Sequence, residues 1–477
     1  MEDDNELGIS EKIIFVDSEV NELSFDENTI IQAKEGDKIT VKGNLSCSDK
    51  LIVRCSLQAN LVEIDGNLIV EGDLEAVDIE IGNKLTVNGK LNAKNLECGN
   101  KATIMGDCTV EEIDCGNKLT IGGKFTGNLA QIGNTLKVDE DIIIKELRLG
   151  GSFKGSGTID GRKLSIGGSC EFNGPVTIET KISIGGRCEI NGPVKAKKIS
   201  AGGSITLSHD IEVIELKAGG NITLDKISTF NELKAGGNVT INSDNVRFQS
   251  ISVGGKVNAS GNLKGQEIEA GGTVMCDGVL MVSTLDVGGK IFSRKEIVAN
   301  EINVGGKLES EDAIYVKNKL TVGSKVTTPN YLFADIIEVG GKITALEVIC
   351  KDLSVGESIK TTKGIFVLNK LQLGKGSKIQ GPIVGEIVTI GKNSEAEDIY
   401  GNKIELGKFV TANNIFGFDI IIKDNANIKG QIEYQNSLET GIDVIFEFEP
   451  KKVENLPEKP IPDDLPKELV QKSSELK

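Results

Sequence analysis

The sequence predicts an all-β fold, a right-handed triangular parallel β-helix of roughly 22 coils with a ~17-residue period. Three observations carry this. An apolar residue followed by Gly, then usually Gly or Asn, recurs with its first glycine at 82, 99, 116, 133, 150, 167, 185, 202 and onward to 407, and weaker copies reach back to Gly66 and Asp49 and forward to Asp424. Within each unit, apolar residues fall at offsets of about +3, +5, +9, +11, +14 and +16 from that glycine. The chain holds 57 Gly, no Trp and one His in 477 residues, too few aromatic side chains for an ordinary large enzyme core.

The offsets make three i, i+2 pairs per unit. In the unit beginning at Gly202 they are Ile205 and Leu207, Ile211 and Val213, Leu216 and Ala218. Residues two apart share one face of a strand, and no i, i+3, i+4 pattern of a helix is sustained. Each unit therefore reads as three short strands whose inward pairs close a core only if the chain winds as a triangular coil. The right-handed sense follows the preference of parallel β crossovers. At about 4.8 Å per rung, such an array makes a rod on the order of 100 Å long.

The residue after the first glycine is Asn83, Asn100, Asn117 and Asn134 in early coils and Gly151, Gly168 and Gly186 later. Both types accept positive φ, so the column reads as a left-handed corner, with the asparagines stacked as an amide ladder. The units beginning at Gly167, Gly236 and Gly305 are 18 residues long and 69 residues apart, four coils plus one residue, which reads as a corner bulge. The segments IGGSCEFNGPV (166–176) and IGGRCEINGPV (184–194) are then adjacent floors, with Cys170 over Cys188 and Phe172 over Ile190.

The ends differ from the body. Residues 1–30 carry a net charge of −9, residues 442–477 carry −3, and the remainder of the −17 total leaves only −5 for the middle. This divides the chain into an acidic N-terminal arm (1–30) suited to cap an end, a β-helix (31–441), a capping strand (442–449) and a Pro-rich flexible tail (450–477). The acidic balance disfavours nucleic acid and anionic membranes as partners. No apolar run approaches a transmembrane segment, and MEDDNELGIS is acidic where a secretory signal is basic, so a cytoplasmic location is expected. Nine cysteines with no C-x-x-C pair read as free buried thiols.

No catalytic, cofactor-binding or metal-binding residue is expected. His209 is the only histidine, in a turn, which removes a three-His zinc site within one chain. Glu111 with Glu112, and Glu311 with Asp312, fall at corners without the aromatic and basic neighbours that a sugar-cleaving site needs. Cys98 and Cys115, and Cys170 and Cys188, share inward columns. Lys84, Lys101 and Lys118, then Lys256, Lys290, Lys307, Lys325 and Lys342, form an outward column that reads as a solvated edge resisting sideways association.

The V-G-G-K corners and the stretch VGGKVNASGNLKGQEIEAGGTV (253–274) resemble the bactofilins, polymer-forming cytoskeletal proteins of prokaryotes, over residues 49–440. The resemblance implies cores that stack end to end into filaments without nucleotide, flanked by tails that modulate assembly or bind partners. The expected function is a non-enzymatic cytoskeletal scaffold that self-associates through its β-helix ends, with no cofactor. The alternative is a monomeric rod-like platform for cell-envelope or cytoskeletal partners recruited by the tail. A carbohydrate-active enzyme would require a groove of clustered Asp, Glu and Arg on one face.

Overall fold

A computed structural model describes residues 12–462, and all regular structure within them is β. The chain divides into two compact units, Met1–Lys226 and Ile227–Lys477. Each is a β-solenoid, a stack of parallel strands with the ~17-residue period, with about 26 turns in the chain as a whole.

In the first unit a coil consists of a short strand, such as Lys84–Val87, and a longer one, such as Leu91–Cys98. Short strands stack in register on one another, with Lys84 beside Lys101 and Leu85 beside Ala102. Long strands do likewise, with Leu91 beside Cys108 and Cys98 beside Cys115. The paired positions pass from Ala93 to Asn95, leaving Lys94 at a bend. The second and third expected strands thus form one bent strand. Only two residues separate their inward pairs, too few for a separate turn, so the ladder runs through the corner. Alternation then divides the side chains: Leu91, Ala93, Leu96 and Cys98 are buried while Asn92, Lys94 and Glu97 are exposed.

The glycine column has a different cause from the one its composition suggested. Positive φ is absent from the repeated glycines and from the Asn/Gly position after them. The constraint is the rung below. A Cβ built on Gly271 would lie 2.6 Å from the carbonyl oxygen of Gly254, one on Gly305 would lie 2.5 Å from that of Gly288, and Gly133 sits closer still over Gly116. Corner backbones stack so tightly that only hydrogen fits between them. Left-handed corners occur instead in the last coils of the second unit, at Gly376 (φ 72°), Asn393 (57°), Phe409 (58°), Asn425 (60°) and Asp443 (57°).

The amide ladder is present from Asn67 to Asn117. Asn83 Nδ2 donates to Asn67 Oδ1 at 2.9 Å, Asn100 to Asn83 at 3.2 Å and Asn117 to Asn100 at 3.3 Å. The extra residue of the 18-residue coils is a bulge at the bend. Gly161 faces Ile178 but Lys163 faces Lys181, and Thr180 Oγ1 donates to Arg162 O at 2.6 Å. In the second unit the register slips likewise between Ala299 and Glu301, and Gln249 N and Ser250 N both donate to Asn231 O, at 3.0 and 2.9 Å.

More turns are present than expected because the segments set aside as arm and cap are themselves rungs. Lys12–Val16 pairs in parallel with Thr29–Ala33, so residues 12–30 belong to the solenoid. Ile445–Phe446 continues the short-strand ladder on Asn427–Ile428, and Lys451–Lys452 continues the long one on Glu433–Tyr434. The strand expected over 442–449 is therefore a further rung, since its backbone meets an open ladder of matching register. Part of the expected flexible tail also lies against the solenoid. Gln435 Nε2 donates to Glu454 O at 2.5 Å, and Lys459 Nζ donates to Asn402 Oδ1 at 3.2 Å and Gly385 O at 3.5 Å. Residues 1–11 of the arm and 463–477 of the tail lie outside the described residues.

Candidate functional site

The polar residues singled out in the sequence do not converge. His209 is exposed in a bend after Ile205–Leu207, and Glu111 and Glu112 are exposed at the bend of Cys108–Cys115. Asp312 serves its own turn, accepting from Ala313 N at 2.7 Å and Asn330 Nδ2 at 2.9 Å. Among the described residues no group of three or more His, Cys, Asp or Glu side chains is arranged to hold a metal ion.

All nine cysteines are free and buried. Burial alone pushes the Cys108 thiol up to about 12. Burial likewise pushes Cys276 up to about 11. Cys98 and Cys188 are raised by sharing a hydrogen with Cys115 and Cys170 respectively, and by burial. The same hydrogen bond with Cys98 lowers Cys115 to about 7. Cys98, Cys108, Cys188 and Cys276 hold neutral sulfur in apolar surroundings, where a thiol is a small hydrophobe and a poor nucleophile.

Of the surface grooves in the first unit, two bear on a sugar-cleaving site. One, of about 660 Å³, is lined by outward residues including Lys137, Lys154, Glu171 and Arg187, with the inward Phe153 at its floor. Three of its cations are already paired, Lys154 with Glu171 at 2.9 Å, Lys137 with Asp139 at 2.8 Å and Arg187 with Glu189 at 2.7 Å. The other, of about 310 Å³, is lined by Asp78, Glu80, Glu97, Glu112 and Asp114 and contains neither a basic nor an aromatic side chain. The aromatic and basic subsites of a polysaccharide-cleaving groove are therefore missing from it.

The terminal rungs are the most distinctive feature of each unit. Among the described residues, Lys12–Val16 is paired on one side only, and so are Ile445–Phe446 and Lys451–Lys452. In the first rung Val16 is buried, while the inward residues Ile14, Val20, Leu23 and Phe25 are half-buried. Their partners one rung along, Ile31, Val41, Leu45 and Cys47, are buried. At the other end Leu438 and Phe446 are half-buried over the buried Ile420 and Ile428. Exposed apolar side chains gather there too, with Phe15 59% exposed in the first unit, and Ile442 73% and Ile445 63% exposed in the second. Among the described residues each terminal rung thus presents unpaired backbone and an only partly covered core layer.

A second feature was not anticipated. Outward positions on the second face of the first unit are mostly polar, in the register series Asn92, Thr109, Thr126, Ile143 and Asp160. In the second unit the same position becomes an apolar stripe, running Met281, Val298, Tyr315, Phe333, Ile349 and Phe366 and then Val384, Tyr400 and Phe416. Tyr315 and Phe333 stack with ring centroids 4.7 Å apart, Tyr400 and Phe416 at 5.0 Å. The signal was in the sequence, where LMV, IVA, IYV and GIFV replace strict alternation.

No helix among the described residues is long and apolar enough to cross a membrane. No family model, curated protein or solved structure matches the chain.

Proposed function

We propose that the protein is a non-enzymatic scaffold that assembles end to end into filaments, with a cytoskeletal role in the cytoplasm. The observation that carries this reading is the pair of one-sided terminal rungs, whose half-buried inward residues become buried wherever a further rung covers them. Another molecule's terminal rung supplies the same ladder hydrogen bonds and the same apolar layer. The likeness of residues 253–274 to bactofilin cores supports the same reading.

Both ends are acidic. Asp17, Glu19, Glu22, Asp26 and Glu27 against Lys12 belong to the first rung, and Glu433, Glu439, Asp443, Glu447 and Glu449 against Lys451 and Lys452 to the last. Like charge at the meeting surfaces opposes stacking until salt screens it, over a distance of about 8 Å at physiological ionic strength. Electron microscopy of purified protein across ionic strength is the test. Filaments should lengthen as salt rises and be indifferent to added nucleotide. Single, uniform particles at every salt and protein concentration would overturn the proposal.

A further inference from the structure

Val298 points away from the solenoid core, since Ile297 and Ala299 beside it point inward, and yet it is 0% exposed. At the same register position in the first unit, Ile143 is 43% exposed between its stack neighbours Thr126 and Asp160. Stacking alone therefore leaves an outward side chain well hydrated. Met281 and Tyr315, on either side of Val298, are also buried, as is Ala313, and they pack with Val279 and Phe333 as a second apolar cluster outside the solenoid core. Such a surface needs a covering layer.

We propose that the C-terminal segment Asp463–Lys477 of the same chain docks along this stripe as a strap. The described chain leads to it. After Lys452 the backbone turns back, passing Gln435 at Glu454 and reaching Asn402 and Gly385 at Lys459, beside the stripe residues Tyr400 and Val384. It is thus travelling along the stripe toward Met281 when the described part ends at Pro462.

The reach is sufficient. From Val384 to Met281 is six rungs, or about 29 Å at ~4.8 Å per rung. From Lys459 the three residues to Pro462 add about 10 Å when extended, and the segment 463–477 adds about 22 Å as a helix or about 50 Å fully extended. Its chemistry fits as well. Leu465, Leu469 and Leu476 fall at i, i+4 and i+11, one face of a helix. Lys467, Lys472 and Lys477 meet a face whose edge carries two carboxylates, Glu296 at 9% and Glu347 at 2% exposure.

The test uses the full chain with the photo-crosslinker p-benzoylphenylalanine replacing Leu469, prepared as an equal mixture of isotopically light and heavy copies. Mass spectrometry should find crosslinks to residues 279–333 within a single copy. Crosslinks joining light to heavy copies would make a second molecule the occupant and overturn the proposal, as would crosslinks elsewhere or none. In the full chain, Leu465→Asp, Leu469→Asp and Leu476→Asp together should raise the fluorescence of an apolar-surface dye several-fold, and an unchanged signal would also overturn it.

Discussion

At Gly133 the carbonyl oxygen of Gly116 occupies the space a Cβ would take, although its φ is ordinary. Crowding and left-handedness make opposite predictions for asparagine, which tolerates positive φ but carries a Cβ. Gly133→Asn should therefore destabilise the chain about as much as Gly133→Ala, roughly 1–3 kcal/mol by overpacking, measured by urea melts. A similar argument from burial applies to sulfur. Burial raises the Cys108 thiol from 9.0 to about 12, so the folded chain keeps a proton that the unfolded chain releases near 9. That stabilisation is whole below pH ~9 and is lost as pH rises toward ~12. Thermal melts across this window should show a smaller alkaline loss for Cys108→Val than for the natural chain. The glycine column and the inward cysteines were both legible in the sequence. The reason for the glycines was not, because the atom they avoid belongs to a residue 17 positions earlier.

Within one stack, side chains at equal register repeat every rung, for better or worse. The asparagines from Asn67 to Asn117 gain a hydrogen bond between side-chain amides at each step. Glu63, Glu80, Glu97 and Asp114 stack in register on the outward side of the third face, placing like charges one rung apart. Such pairs destabilise a sheet, and opposite charges contribute roughly 0.2–1 kcal/mol each. Glu97→Lys should raise stability by about 0.5–1 kcal/mol at low salt, and the gain should shrink in high salt, read from paired denaturation curves. Strand positions and the bulge of the 18-residue coils were readable from spacing. The merging of the second and third strands was not, because it depends on hydrogen bonds to neighbouring rungs that carry the ladder through Lys94 and its counterparts.

For the whole molecule, the proposed end-to-end assembly rests on where the ladder stops. Phe446 lies half-buried on the last rung over the buried Ile428. A charge there adds a desolvation cost to every end-to-end contact while leaving the interior rungs intact. Phe446→Lys should shorten or abolish filaments in sedimentation and microscopy without changing the far-ultraviolet circular dichroism of the chain. The 17-residue step, the inward columns and the parallel stacking could all be read from the amino acids, because alternation and turn composition are local properties of a strand and its corner. The rungs hidden in the acidic ends, the crowding behind the glycines and the apolar stripe with its approaching tail emerged only on folding. Each is a relation between residues a rung or more apart: winding brings to about 4.8 Å what the chain separates by 17 residues, and the returning tail brings Lys459 Nζ to 3.5 Å from Gly385 O across 74.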